Sequence, residues 1–370
     1  MFLGVYLESI REWFLFDLGQ IMSGFIETEE EKLFRSVVRK FAKDNLVPRA
    51  QHADEMEEFS WDNWRGMASI GLTGIGVSSE LGGSGGGYRH TVIAEEEIAR
   101  GDAPTSVTLV AHLSLALATI YTYGNREQIS QHVPDLAKGN KIGGWALTES
   151  GSGSDAASLA TTATLRDNIY YLNGTKTFIS NGDIADKLVV FAREDHLDGD
   201  KGISVFIVEK GTPGFQSYSQ KGKLGMRGST TAELTFDNVA VPAINRIGKQ
   251  GEGFKCAMGI LDTSRIVIAA QCVGIAKAAF YSTLDFVSQR RSFGKPIGQH
   301  QAIQSMLADM ASEIYVCETA VMHSASLKDN NLPFSNEASM VKLISSEMCN
   351  RVTANALQMH GGYGYFKDSP

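Results

Sequence analysis

Cysteine is scarce in this sequence: there are four, Cys256, Cys272, Cys317 and Cys349, with no C-x-x-C pair and no cysteine–histidine grouping at metal-binding spacing. That excludes a disulfide-stapled secreted domain and a zinc module, and fits a reducing, cytoplasmic setting. Cations are also in deficit. A net charge of −8 argues against nucleic acid as a partner, because phosphate binding needs a surplus of Lys and Arg on one face. An anionic ligand must therefore meet a local basic patch. Long apolar runs are missing at the start: in residues 1–21, Glu8, Arg11, Glu12 and Asp17 interrupt the aromatic and apolar residues. The longest uninterrupted run is about seven residues against the ~20 needed to span a bilayer, so no membrane span is expected there. A basic start and a small-residue cleavage site are absent as well. Residues 1–25 are set apart as an extension, and the first 21 are read as a packing helix, an interfacial helix, or, as we favour, sequence upstream of a true start at Met22.

What is present suffices for several cores. A chain of 370 residues, 43% hydrophobic, accommodates two or three domains of roughly 100–150 residues. From Thr28 the sequence opens with a capping box, Thr28 and Glu31, and places Leu33, Phe34, Val37, Val38 and Phe41 on one helical stripe. Further helical patterns lie in WDNWRGMASIG, TVIAEEEIARG and VTLVAHLSLALATIYTYG, so residues 26–142 read as a helical domain. After Gly143 the period changes. The runs WALTES, TTATLRD, IYYLNGTKTFIS, KLVVFARE, GISVFIVEK and AELTFDNVAVP are β-branched or aromatic, with turn signals between them. Asn173-Gly174 has the chemistry of a tight hairpin turn, and Thr212-Pro213-Gly214 marks another reversal. Residues 143–242 therefore read as a β domain, barrel-like in outline. The helical period returns over about 253–290, 299–327 and 336–358, which predicts a helix bundle in residues 243–370. Such a bundle normally closes with a fourth helix, so we expect the sequence to lack its closing helices. The fold class is α+β and multidomain.

Gly151-Ser152-Gly153-Ser154-Asp155-Ala156 superficially matches the G-x-G-x-x-A dinucleotide fingerprint. That fingerprint must lead from a strand into a helix, whereas Ser158 to Leu165 read as Thr-rich strand. A nicotinamide site is not indicated, and on composition alone the loop is equally a flexible turn.

Taken at length, GGWALTESGSGSDAASL resembles the first signature of the acyl-CoA dehydrogenases. The resemblance continues in order through NGTKTFISNG, KLGMRGSTTAELTFDNVAVP, GEGFKCAMGILDTSR, RRSFGKPIGQHQAIQSMLADM and QMHGGYGYFKDSP, covering about Thr28 to Pro370. It implies FAD as cofactor, the same helix–strand–helix order, an acyl-CoA substrate, an electron-transfer flavoprotein as electron acceptor, and a homo-oligomer, dimer or tetramer.

By this resemblance the segment from Trp145 through Leu147 and Thr148 to Gly153 and Ser154 packs along the flavin. A flat ring with polar edges wants an apolar face and a few aimed donors. Phe178, Ile179 and Ser180 stand where the family usually has Trp-Ile-Thr, keeping an aromatic face and a hydroxyl. Arg290, Ser292 and Phe293 fall in the family's Arg-x-Thr/Ser-Phe-Gly run, which reaches a neighbouring subunit's FAD; Arg290 and Arg291 equally suit a helix C-terminus. His300 and Gln301 match a His-Gln pair near the cofactor, although a His at a helix start also serves structurally. Gln358, Gly361 and Gly362 match a segment where the FAD pyrophosphate lies close to the backbone, as a Cβ would prevent. A bare Gly-Gly after a helix is otherwise a C-cap.

For the acyl-CoA, the resemblance points to Ser154 and to Asp262, Thr263, Ser264 and Arg265, with Arg265 on the CoA portion. Set between Asp262 and an apolar run, its guanidinium should have a partner. Removal of an α-proton needs a carboxylate base. The family usually carries that Glu after the Gly-Gly segment, which places it past Pro370. A minority carry it at the position of Ser264, whose hydroxyl cannot replace it. Asp262, two positions away on the helix, is turned by about 200°. Truncation of an ordinary dehydrogenase is the favoured account. The alternatives are a split protein, an FAD- and acyl-CoA-binding protein without dehydrogenase activity, an acyl-CoA or nitroalkane oxidase, and a structural oligomer without flavin.

Overall fold

The structure is a computed structural model that describes residues 27–195 and 202–367. The reading of residues 1–25 and the expected Glu past Pro370 lie outside the described residues.

Helix α1 (Glu29–Phe41) begins at the anticipated capping box: Thr28 Oγ1 accepts from the Glu31 amide at 3.2 Å, and the Thr28 amide donates to Glu31 Oε2 at 2.8 Å. Its buried face differs from the predicted stripe. Val38 is buried, but Leu33 and Val37 are 66% and 46% exposed, while Glu31 and Arg35 turn inward. The inward charges are tolerated because they find partners: Arg35 Nη1 donates to Glu96 and Glu97 at 2.8 Å each.

Helices α2 (Val47–Met56), α3 (Trp61–Ser69) and α4 (Tyr88–Gly101) follow. Next come α5 (Ala103–Leu109) and α6 (Ala118–Tyr123), joined through a wider-wound stretch at Val110–Leu117, and then α7 (Arg126–Ala137). His112, in that stretch, ties the helices to the first strand. Its Nε2 lies 3.2 and 3.1 Å from the Thr73 and Leu136 carbonyls, and its Nδ1 accepts from the Gly143 amide at 2.9 Å. Burial lowers its pKa to about 4, so it is the neutral ring that bridges.

Strands β1 (Gly143–Ala146), β2 (Thr162–Arg166), β3 (Ile169–Ser180), β4 (Lys187–Glu194), β5 (Ile203–Glu209), β6 (Phe215–Ser219), β7 (Thr231–Pro242) and β8 (Arg246–Ile247) form one mixed sheet in the order β6-β7-β3-β2-β4-β5-β8. β1 pairs in parallel with β4. The sheet curls enough for β1 to touch β3 and for β5 to touch β7. Asn173-Gly174 is not a hairpin turn. β3 runs through it, and the register against β7 slips between Leu172 and Gly174, a bulge with Gly174 at φ 147°. The hairpin turn is at Asp167 and Asn168, which take φ of 47° and 63°. The strand expected from Ser158 begins at Thr162, after a short 3₁₀ turn at Ala156–Ser158. With no helix there, the dinucleotide reading stays excluded.

A long helix α8 (Gly253–Gln289), a two-residue hairpin β9–β10 (Arg291–Ser292, Lys295–Pro296), α9 (Gln301–Asp329) and α10 (Ser335–His360) complete the description. α8 packs on both α4 and α10. Two helical stretches, Ala103–Tyr123 and Gly253–Gln289, are long and apolar enough to cross a membrane, yet 72% and 56% of their most apolar windows are buried inside the protein. They are core helices. On α10, Met340 and Leu343 remain 57% and 60% exposed.

Candidate active site

Two antiparallel segments, 143–148 and 176–181, lie side by side. Asn181 Nδ2 donates to the Gly143 carbonyl at 3.2 Å, and the Thr177 amide donates to the Thr148 carbonyl at 3.0 Å. Between these ties, a Cβ on Gly144 would stand 3.5 Å from the Ser180 carbonyl. One wall therefore gathers Trp145, Leu147, Thr148, Phe178, Ile179 and Ser180. A second register slip against β7, between Lys176 and Ile179, throws Phe178 outward. Phe178 sits at φ 58° and is 69% exposed, an uncommon conformation for a bulky residue.

The wall offers polar groups beside that aromatic face. The hydroxyls of Thr148 and Ser180 form no hydrogen bond among the described residues. Not every predicted side chain is available. The Trp145 indole points inward, donating to Thr119 Oγ1 at 3.1 Å and meeting Phe191 edge-on at 4.7 Å, and Ile179 is buried in the sheet core. Only their backbones can face a ligand. The adjoining loop is open: a Cβ on Gly151 or Gly153 would meet nothing within 4 Å, and Ser154 is exposed.

Sequence reasoning missed what stands behind this wall. Lys176, fully buried, donates from Nζ to the Leu147 carbonyl at 3.0 Å and to Glu149 Oε1 at 2.7 Å. A lysine at an inward strand position was the available signal.

A second group of predicted residues assembles at the end of the bundle. A cavity of about 490 Å³ is lined by Phe286, Arg290, Ser292, Ile297, Met359, His360, Gly361, Gly362, Tyr363 and Phe366. Phe286 and His360 stack with centroids 4.5 Å apart, and the Arg290 guanidinium lies 5.5 Å from the Tyr363 ring centroid. Gly361, at φ 58°, ends α10, and neither it nor Gly362 would bring a Cβ within 4 Å of anything. Phe293, 93% exposed at φ 50°, meets His300 edge-on at 5.9 Å; His300 Nε2 is 3.3 Å from the Ser292 carbonyl. Gln301 and Gln358 are exposed beside them. None of the first wall's residues lines this cavity.

The third group is on α8. Arg265 has the expected partner: its Nη1 bonds Asp262 Oδ1, and Asp262 Oδ2 accepts from Ser335 Oγ at 2.8 Å. Thr263 and Ser264 are buried, with hydroxyls donating to the Ile260 and Leu261 carbonyls at 2.8 and 3.0 Å. Ser264, where the resemblance would put a minority base, offers a hydroxyl already bonded to the backbone, and Asp262 is committed to Arg265. Among the described residues no group of three or more metal-binding side chains converges.

Models of the acyl-CoA dehydrogenase N-terminal, middle and C-terminal domains match residues 28–140, 144–239 and 251–370. The chain belongs to the acyl-CoA dehydrogenase family. It is 46% identical over 348 residues to an acryloyl-CoA reductase (NADH) of Anaerotignum propionicum, covering 94% of this chain and 88% of that protein. A short-chain specific acyl-CoA dehydrogenase of Clostridium acetobutylicum is 42% identical, covering 93% and 90%. The solved butyryl-CoA dehydrogenase of Megasphaera elsdenii superposes with a TM-score of 0.91 at 38% identity, covering 94% of this chain and 91% of that one. This dehydrogenase is accordingly an FAD-dependent flavoprotein oxidoreductase with the family's helix–sheet–helix architecture. The exposed aromatic wall with two uncommitted hydroxyls, and the cavity beside open glycines, suit a flat ring with polar edges and a phosphate-bearing tail.

Proposed function

We propose that this acyl-CoA dehydrogenase acts on a short acyl-CoA thioester, removing hydrogen across Cα–Cβ to give the trans-2-enoyl-CoA, with electrons leaving to an electron-transfer flavoprotein. The observation that carries the reading is the wall formed by segments 143–148 and 176–181, where Thr148 and Ser180 keep free hydroxyls beside the exposed ring of Phe178. FAD, when bound, supplies two-electron acceptor chemistry. Thr148 and Ser180 would hydrogen-bond its polar ring edge, the Leu147–Thr148 backbone would hold it, and Phe178 would shield it from water.

Within one chain, the wall and the cavity at Arg290 and Gly361 are separate groups. That separation supports a homo-oligomer in which Arg290, Ser292, Phe293, His300, Gln301, Gln358, Gly361 and Gly362 complete a neighbour's cofactor site. Arg290 suits a phosphate because its guanidinium is exposed and braced by Tyr363. Ser154, Asp262, Thr263, Ser264 and Arg265 hold the acyl-CoA, with Arg265 oriented toward the CoA portion by Asp262. The small Ser264 leaves space in the acyl pocket. The base that takes the α-proton is assigned to no described residue. We place the domain limits at 26–142, 143–242 and 243–370, and the protein in the cytoplasm.

The test is anaerobic titration of the purified protein with butyryl-, isobutyryl- and octanoyl-CoA while following the flavin band. Bleaching supports dehydrogenation. A spectral shift without bleaching makes the protein an FAD- and acyl-CoA-binding protein, and rapid reoxidation in air with peroxide makes it an oxidase. Colourless protein that takes up no FAD overturns the flavin reading.

A further inference from the structure

The Lys176 ammonium is fully buried and makes two bonds that bracket Thr148: one to the Leu147 carbonyl at 3.0 Å, the other to Glu149 Oε1 at 2.7 Å. On the next residue of its own strand, the Thr177 amide donates to the Thr148 carbonyl at 3.0 Å. Glu149 extends the restraint. Its Oε2 accepts from the Ala160 amide at 2.6 Å, and its Oε1 accepts from the Thr161 amide and hydroxyl at 3.0 and 2.6 Å. Its backbone exchanges bonds of 2.9 and 3.1 Å with Ser152, closing the loop that leads to Gly153 and Ser154. Thr148 is thus held from both sides, through carbonyls and a neighbouring carboxylate, while its own hydroxyl stays uncommitted.

We propose that Lys176, paired with Glu149, is a positioning residue for the flavin wall: its ammonium fixes the Leu147–Glu149 backbone against strand 176–180 so that Thr148 and Ser180 present their hydroxyls at a set spacing. This rests on the flavin reading above. A buried ion pair is a poor source of net stability compared with apolar residues of the same volume, so geometric definition of the wall is the better account of its presence. The charge also makes the role readable. Burial depresses the Lys176 pKa to about 8, opposed by Glu149, the charged group that acts on it, whose own pKa is raised by burial but lowered overall by Lys176, Thr161 and Ala160. The folded-state pKa is depressed, so the ammonium is lost as pH rises through about 8, leaving the Glu149 carboxylate without its counter-charge.

The experiment measures FAD affinity of the apoprotein by quenching of flavin fluorescence, from pH 7 to 9.5, for wild type, Lys176→Met and Glu149→Gln. Circular dichroism reports the fold in parallel. The expected result is that wild-type affinity falls by about tenfold across that range, the size of one lost charge-assisted hydrogen bond. Lys176→Met is expected to start about tenfold weaker at pH 7 and to be flat with pH, with a displaced flavin absorption band. If Lys176→Met fails to fold, the wild-type pH profile and Glu149→Gln decide. Wild type that binds FAD with a flat profile, or a folded Lys176→Met that binds as tightly as wild type with an unchanged band, overturns the positioning role and leaves the flavin reading standing. Wild type that binds no FAD at pH 7 overturns both.

Discussion

The Nδ1 atom of His132, on α7, lies 2.6 Å from the Lys187 ammonium on β4, and neither side chain reaches solvent. The imidazole must be neutral to accept that bond, and burial together with the Lys187 charge lowers its pKa from 6.5 to about 4, partly offset by Glu209. Unfolding restores the ordinary pKa, so below pH 6.5 the unfolded chain binds a proton that the native protein refuses. The contribution is fully present above about 6.5 and is lost as pH falls toward about 4. We expect wild-type stability to drop by roughly 1–3 kcal/mol over that window from this group. His132→Gln, which still accepts from Lys187 but cannot titrate, should flatten that part of the profile. Urea denaturation at pH 4, 5, 6 and 7 measures it; identical slopes would remove His132 as the cause.

Lys277, on α8, bonds Glu96 of α4 at 2.5 Å and Glu318 of α9 at 2.7 Å, and Arg35 of α1 joins Glu96 at 2.8 Å. Four helices meet in one buried set of charges. Without Lys277, Glu96 would keep Arg35, but Glu318 would be left buried with Arg35 at 4.0 Å as its remaining cation, so Lys277→Met should cost about 3–5 kcal/mol. The double variant Lys277→Met with Glu318→Gln should recover part of that loss, since it removes the stranded charge too. A double variant no better than the single one would show that these charges are not coupled.

How legible all this was depends on how local the cause is. The ends of the strand Ile169–Ser180 were readable, because aromatic and β-branched residues run between turn formers, but its continuity was not. Asn173-Gly174 misled because a hairpin turn and a bulge draw on the same tolerance for unusual φ, and the choice is made by Thr161, whose Cα would stand 2.7 Å from a Cβ on Gly174. Leu33 and Val37 lost the buried face of α1 to Glu31 and Arg35, whose partners come from α4. Lys176 reads as a solvent residue until Glu149 arrives beside it. The same holds for Cys272 and Cys349, scattered in sequence but close enough between α8 and α10 for each thiol to shift the other's pKa. The proposed cofactor residues rest on ordered motifs and not on periodicity, and the motifs carried no sign that Trp145 and Ile179 turn their side chains inward.

Glu95 is buried between Ser106 and Gln271, and its Oε2 has no partner. Burial raises its pKa well above 4.5, opposed by the nearby Ser106 hydroxyl and by Gln271, whose amide donates to Glu95 Oε1 at 3.3 Å. A carboxyl with a raised folded pKa favours folding below its unfolded value, and that contribution is lost as pH rises from 4.5 toward the folded pKa. Glu95→Gln keeps the shape without the titration. It should match wild type near pH 4.5 and exceed it by about 1–3 kcal/mol at pH 8. Equal midpoints of denaturation at both pH values would contradict this.

Where α8 crosses α4, a Cβ on Gly274 would stand 2.2 Å from the backbone carbonyl oxygen of Glu96 and 2.9 Å from Ala99 Cβ. A backbone oxygen in a packed helix cannot swing aside, so Gly274→Ala must push the two helices apart. The expected cost is about 1–3 kcal/mol. Denaturation midpoints of Gly274→Ala against wild type separate this from helix propensity, which alone would make alanine stabilising in a helix interior. A stabilised Gly274→Ala would mean that the crossing is looser than its distances indicate.

Arg265 and Asp262 face one another one turn apart on α8, with side chains 37% and 25% exposed, so the guanidinium is oriented but still reachable. A pair this wet adds little to folding. Its removal should therefore be felt in binding. Arg265→Met keeps the apolar stem and loses the charge; KM for butyryl-CoA should rise at least about tenfold, as for one lost charge-assisted contact, with FAD content and melting temperature unchanged. Because the thioester chemistry is remote from the CoA phosphates, kcat should fall far less than kcat/KM. An unchanged KM, or a loss confined to kcat, would remove Arg265 from the CoA site and leave its bond to Asp262 as a feature of the helix alone.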